Sequence, residues 1–482
     1  MTRSRRIGCV LLPFAAGYYL SYLFRTINAL IAADLAAELG LNAADLGLLT
    51  SIYFLVFAAA QIPFGILLDR HGPRSLQSSL LLLAGAGALV FALADNLVGL
   101  LLGRALIGVG VALALMAGFK AIVLWFPAER LALANGWFVM LGALGAVTAT
   151  APADVIVASV GWRGLFAVLG ALSAVAAFLI VLMVPDARPT PSATPPQALS
   201  LLTVFRDPRF WRLAPLSATG VGTSWSLQGL WAAPWLRDVD GFDRAGVVQV
   251  LSLMAVVVSA SGLLLGLAAT HVRRRGVKTE HILLGTVGLS IAAQLALLLR
   301  LPVASCLAWG AIAAAGAATV LSYALLADYY PKQVSGRANA ALNILHVGCA
   351  FVLQSLTGLI IQQWPAQGDR YPADAHQCAL SVVLALQLAA LAWFVAASAR
   401  RRPAPAVQLL VARLSLAHGP AALERLPPPA RVLPPAAVIA SWRPPASRPA
   451  MPAIRAFPGE RPVLPSRSRT KTAPHPTRRA QA

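Results

Sequence analysis

Charge is scarce in this sequence. Only 12% of its 482 residues are charged and 58% are hydrophobic, with a mean hydropathy of +0.72. A soluble multidomain enzyme is not this apolar, so that class is excluded. Cysteine is nearly missing too. Cys9, Cys306, Cys349 and Cys378 stand apart with no C-x-x-C spacing, which excludes a disulfide framework and a zinc site. No apolar stretch precedes Cys9, so the start reads as a short lead into a first spanning helix rather than as a signal peptide or a lipid-modified cysteine. Carboxylates are few, 18 Asp and Glu against 39 Lys and Arg, and none sits mid-depth in an apolar run. Without a nucleophile, metal cluster or carboxylate pair at reactive spacing, no enzymatic activity, cofactor or metal is expected.

The net charge of +21 is unevenly placed. Residues 400–482 hold 15 Lys or Arg against Glu424 and Glu460. The remaining excess falls on alternating loops rather than on one polar domain, so no nucleic-acid partner is expected. The same tail carries 17 of the 34 prolines and no sustained apolar period, which predicts disorder. Its basic charge would attract anionic lipid, but its Ala, Pro and Arg bias reads as an extension without a selected role.

What is present is a series of apolar runs, each close to the roughly 20 residues that cross a bilayer as a helix. Twelve can be drawn: 9–34, 44–68, 75–95, 97–120, 133–157, 164–184, 212–236, 246–270, 280–300, 303–327, 336–362 and 378–398. Counting Lys and Arg at their ends puts 16 on the side of the termini and five, Arg163, Arg237, Arg244, Arg300 and Arg370, on the other. By the positive-inside rule both termini are cytoplasmic, and the cell membrane is the expected location. The expected organisation is an all-α polytopic membrane protein. It comprises a six-helix bundle over 1–184, a Pro-rich cytoplasmic linker over 185–210, a second bundle over 211–399 and a disordered tail over 400–482.

The halves share a plan. An offset of 204 maps Gly72 to Gly276, Arg74 to Lys278, Pro127 to Pro331 and Asn135 to Asn339, and aligns Trp125-Phe126-Pro127 with Tyr329-Tyr330-Pro331. The matches fall in corresponding loops, as an internal repeat requires.

Two segments carry a resemblance. Gly65 to Arg74 reads GILLDRHGPR, similar to the loop signature G-x-L-x-D-R-x-G-x-R/K of the major facilitator superfamily. Leu100, Arg104, Gly108 and Gly110 are similar to its helix-four pattern L-x-x-x-R-x-x-x-G-x-G. With Trp162-Arg163 and the 6+6 layout, the resemblance covers residues 9–398. The glycine-rich antiporter signature is not met in helix five, where Gly142 and Gly145 lack the following Gly-Pro, which argues against the drug-efflux branches. The resemblance implies two bundles rocking about a central site and opening alternately to each side. Gly65, Asp69, Arg70, Gly72 and Arg74 are then expected to form a gate, Gly65 allowing close helix approach and Asp69 meeting Arg74 or a helix N-terminus.

Ionisable residues inside spans mark sites by default, because burying them in lipid costs a few kcal/mol. Arg25 and Arg104 lie at similar depth on helices one and four, without acidic partners nearby in sequence, which points to an anion locus. Arg104 can equally serve the fold. Lys120, nearer the cytoplasmic end, is expected to reach the headgroups. Tyr18, Tyr19, Tyr22, Arg25 and Asn28 share a helix face, and Tyr-x-x-Arg-x-x-Asn is similar to the first helix of the organophosphate:phosphate antiporters. Their second arginine belongs on helix seven, where the offset gives Gly229. Helix seven offers Trp225, Gln228, Trp231 and Trp235 instead, the last expected in an interfacial belt. Helix eleven offers Asn339, Asn343 and His346. A monoanion with an organic body suits one cationic half facing an aromatic one.

The expected substrate contacts are Tyr22, Arg25, Asn28, Arg104, Gln228, Trp231, Asn343 and His346, with His346 the central proton-carrier candidate. The expected function is secondary transport of a small organic anion such as a carboxylate by alternating access, with a coupled proton or counter-anion, by a monomer in the bilayer. The rivals are a permease for a neutral sugar or peptide-like solute and a transport-dead membrane sensor.

Overall fold

Backbone inside a bilayer must satisfy its own hydrogen bonds, and these apolar runs do so as helices. The computed structural model describes residues 6–185, 201–301, 304–316, 318–330 and 332–399. Met1 to Arg5, linker residues 186–200 and the 400–482 tail lie outside them. The helices are α1 (7–39), α2 (Ala43–His71), α3 (Pro73–Ala92), α4 (Leu97–Trp125), α5 (131–160), α6 (162–183), α7 (208–238), α8 (Arg244–Arg274), α9 (Thr279–Leu298), α10 (305–329), α11 (Lys332–Ile361) and α12 (Ala373–Ala399). Among the described residues nine spans are long and apolar enough to cross a membrane. The sequence-read helices that fall short are α5, broken at 149–150, α10, broken between Ala315 and Ala318, and α7, whose middle is rich in Ser and Thr. Gly161, at φ +71, makes the corner between α5 and α6, a conformation that L side chains rarely adopt.

The repeat read from the sequence reappears as packing. α1 packs on α5 as α7 does on α11; α2 on α4 as α8 on α10; α3 on α4 as α9 on α10; α3 on α6 as α9 on α12. The irregularities repeat as well. One helical segment of α4 ends at Val111 and the next starts at Ala114, and in α10 one ends at Ala315 and the next starts at Ala318, the same offset of 204. α1 breaks at Ile27, and α7 winds as a π-turn over Leu227–Trp231. Gly108 and Gly110 are explained by crowding: side chains there would run into the Tyr53 carbonyl of α2 and the backbone of Ala84 on α3.

The halves meet chiefly along α2 with α11 and α5 with α8. At the end of the bundle that holds the α1–α2 turn, this seam is tight. A Cβ on Gly47 would lie 3.1 Å from the Gln354 carbonyl, Ser355 donates to Ser51 at 2.7 Å, and the Ala43 amide donates to the Tyr371 hydroxyl at 3.2 Å. Toward the other end of α2, Ile62 and Ile66 are 47% and 52% exposed, and a Cβ on Gly65 would meet nothing within 4 Å among the described residues. Among the described residues the close approach expected at Gly65 is found instead at Gly47, in the tight part of the seam.

Candidate functional site

The break in α1 follows directly on the cation the sequence singled out. Arg25 lies half-buried with its guanidinium 4.0 Å from the Tyr22 ring centroid and 4.8 Å from that of Trp225 on α7. Trp225 stacks in turn on Phe54 of α2 at 6.2 Å. The cation is thus held between rings of both halves, an arrangement worth ~2 kcal/mol where water is excluded. No carboxylate among the described residues pairs with it. Its positive charge is therefore uncompensated by any carboxylate among the described residues, on a side chain that keeps partial exposure.

Arg104 takes a different place. It is fully buried in the first half, donates to the Phe24 carbonyl at 2.8 Å and lies 5.3 Å from the Tyr53 ring, while its Nε and Nη2 find no partner. Phe24 immediately precedes Arg25, so Arg104 fixes the backbone that carries the half-buried cation. Tyr53 donates to the Ser21 carbonyl on the same helix at 3.3 Å. Asn28 is likewise turned into the first half, donating to Thr50 of α2 at 3.0 Å.

The α7 residues divide in the same manner. Trp231 donates to the Gln354 carbonyl at 3.0 Å and packs beside Gly47, so it belongs to the closed seam. Gln228 is 7% exposed, with its amide nitrogen unpartnered. Trp235, expected in a belt at the membrane surface, is instead buried and donates to Asp240 at 3.2 Å. On α11, Asn343 accepts from Tyr323 of α10 at 2.8 Å and His346 contacts Ser217 of α7 at 2.6 Å. The structure therefore brings Arg25, Tyr22 and Trp225 together, groups Asn343 with His346 through Tyr323, and sends Arg104, Asn28 and Trp231 into packing.

The α2–α3 turn is built around Gly72, whose φ of +78 fits glycine. Lys120 does not reach for the headgroups. It bonds Asp69 at 2.7 Å and the Leu68 carbonyl at 2.9 Å, because it projects from α4 onto the negative C-terminal end of α2. Arg74 donates to the Val181 carbonyl of α6 at 2.5 Å. Arg70 is exposed.

The closed end carries a three-way charge contact that sequence reading passed over. Arg244, the first residue of α8, bonds Asp34 of α1 at 3.0 Å and Asp154 of α5 at 2.8 Å. Nothing in local sequence ties residues 210 and 90 positions apart. Beside it the Trp162 indole, with Arg163, holds Glu38 below the usual carboxylate range. Across the same end, burial pushes the Asp240 carboxyl up against the hydrogen bonds from Ser305 and Trp235.

Comparisons place this geometry among known proteins. The family model described as Major Facilitator Superfamily matches residues 14–354. The nitrate/nitrite transporter NrtP of a Picosynechococcus species is 34% identical over 115 residues, 24% of this chain and 21% of that protein. A probable L-galactonate transporter of Escherichia coli is 32% identical over 158 residues, 31% of this chain and 33% of that protein. The chain thus spans a third or less of these curated relatives. In overall fold it is similar to the crystal structure of a bacterial homologue of the human lysosomal transporter Spinster, inward-facing and unoccupied. The TM-score is 0.67 at 20% identity, covering 84% of this chain and 100% of that one.

Proposed function

The chain belongs to the Major Facilitator Superfamily, and we propose that it is a secondary transporter that carries a small organic anion, such as a carboxylate, by alternating access. The observation that carries this reading is Arg25, a half-buried guanidinium clasped by Tyr22 and Trp225 from opposite halves and free of any acidic partner among the described residues. One cation in an aromatic clasp favours one negative charge on an organic body. Relatives named for nitrate and L-galactonate are in keeping with an anion.

In this reading Arg25, Tyr22 and Trp225 contact the solute, while Arg104, Asn28 and Trp231 position what does. Gln228 and Asn343 complete the polar wall. With both termini cytoplasmic in the cell membrane, as the Lys and Arg distribution supports, the open end faces inward. The Gly65, Asp69, Arg70, Gly72 and Arg74 turn stands at the inner gate, with Lys120 holding Asp69.

The test is the melting temperature of the purified full chain against L-galactonate, acetate, nitrate, glycerol 3-phosphate, galactitol and dialanine, repeated on Arg25→Ala. A ligand that binds only the folded state raises it. Stabilisation by an anion that Arg25→Ala abolishes supports the proposal. A shift by galactitol or dialanine alone, equal in both proteins, would replace it with a neutral-solute permease. Binding without uptake in vesicles would point to the sensor.

A further inference from the structure

His346 is the titratable side chain that the solute contacts leave unused. It is 0% exposed on α11 and held from two other helices of its half. Its Nε2 lies 2.6 Å from Ser217 Oγ on α7, and its Nδ1 lies 3.5 Å from the Tyr323 hydroxyl on α10. That hydroxyl donates to Asn343 Oδ1 at 2.8 Å. With its proton committed there, the Tyr323 oxygen can only accept from Nδ1–H, and the Nε2 lone pair takes the Ser217 proton. The ring is then neutral. A proton added at Nε2 reverses this bond: the Ser217 hydroxyl turns over and accepts from the new N–H.

The surroundings supply hydrogen-bond partners on both ring nitrogens but, among the described residues, no counter-charge. Facing the ring are Ser217 from α7 and Tyr323 from α10, with Asn343 and Cys349 one turn away on α11 itself. On α1 of the other half, Tyr18 packs edge-on to Tyr22 at 5.2 Å and Tyr22 holds Arg25 at 4.0 Å. The carboxylate of Glu280 on α9 is engaged by Arg212 at 2.8 Å and by Tyr329 at 2.8 Å. No carboxylate among the described residues contacts the imidazole.

We propose that His346 is the coupling-proton site, taking one proton from cleft water onto Nε2 as Arg25 takes the anion, so that the two ions move together. This rests on the anion reading. Burial without a counter-ion keeps the ring neutral while the cleft is empty. An anion on the Tyr22 face of Arg25 brings negative charge toward Tyr323 and the imidazole, which favours the protonated ring. By linkage, the proton then favours the anion by the same factor. Tyr323 and Asn343 are half-buried where the ring is not, and so stand between it and the cleft.

The full chain in proteoliposomes tests this with L-galactonate, nitrate and glycerol 3-phosphate each offered in turn. Exchange of labelled solute at equal pH is compared with accumulation under a pH gradient, acid on the solute side. Wild type should accumulate an exchanged anion about tenfold per pH unit for one-proton coupling. His346→Gln should exchange it yet lose the accumulation. Should His346→Gln also lose exchange, Tyr323→Phe decides: weakened accumulation with exchange intact supports the site, and unchanged accumulation overturns it. Full accumulation by His346→Gln, or none by an exchanging wild type, overturns the proton site and leaves the anion reading standing. If the wild type exchanges no anion at all, the anion reading falls and this coupling falls with it.

Discussion

Gly229 of α7 faces the main-chain oxygen of Arg25, and a Cβ placed on it would lie 3.8 Å from that oxygen. These are the positions that the 204-residue repeat pairs. One half supplies a guanidinium where the other supplies room, so the centre carries a single cation. Gly229→Ala should melt within about 0.5 kcal/mol of the wild type, since its methyl meets only an ordinary contact. Gly229→Lys should raise the preference for glycerol 3-phosphate over L-galactonate about tenfold, because a second cation favours the dianion. Melting curves read the first and competition binding the second.

Arg104 should act on the solute without touching it. Arg104→Met removes the bond to the Phe24 carbonyl at 2.8 Å together with a buried charge whose Nε and Nη2 are unpartnered. Its effects on stability oppose each other, but its effect on Arg25 has one sign. Anion affinity should fall about tenfold, the scale of one lost hydrogen bond. An unchanged affinity would show that Arg25 needs no anchor at Phe24.

Arg244 should set the conformational balance rather than the stability. Its pairs with Asp34 and Asp154 are partly exposed, with the Arg244 side chain 46% accessible. Such pairs contribute up to about 1 kcal/mol, a factor of about five in an equilibrium. Arg244→Ala should therefore leave melting nearly unchanged yet increase labelling of a cysteine placed at Ser355, which the closed seam covers. Gly65→Leu should do the reverse to transport, blocking the approach of α2 that closing the other end requires. A labelling rate equal to that of the intact lock would remove Arg244 from the gate.

Two carboxylates at the closed end should give opposite pH signatures. Glu38 is held low by Trp162 and Arg163, so its contribution is present above the ordinary glutamate range and lost as pH falls through its lowered value. Glu38→Gln should lower the melting temperature at pH 7 and converge with wild type in acid. Asp240 is raised by burial, so its charged form penalises the fold at neutral pH and the penalty is relieved on acidification. Asp240→Asn should melt higher at pH 7, with the gain fading in acid. Melting curves from pH 3 to pH 8 separate the two.

The architecture was legible because span length, loop charge and the 204 offset are local or periodic features. Arg25 stood out for the same reason, as a charge in an apolar run. Which neighbour each polar group meets was not legible. Lys120 looked free to reach the headgroups because Asp69, 51 positions away, is adjacent only once α2 and α4 cross. Trp231 and Trp235 looked like a site wall and a belt. They are buried because α7 winds as a π-turn at Leu227–Trp231 and turns them inward. Gly65 reads as a packing glycine because its motif says so, yet among the described residues the crowded glycine of α2 is Gly47, whose neighbours Trp231 and Gln354 lie far away in sequence.

The central claim is that the charge of Arg25 selects the solute. It is tested most directly by uptake of a carboxylate against its neutral reduced analogue, L-galactonate against galactitol, by wild type and Arg25→Gln in proteoliposomes. The account predicts that the wild type prefers the anion by about tenfold to a hundredfold, the range of one charged hydrogen bond, and that Arg25→Gln loses the preference. Equal uptake of both solutes, or a preference that survives in Arg25→Gln, would contradict it.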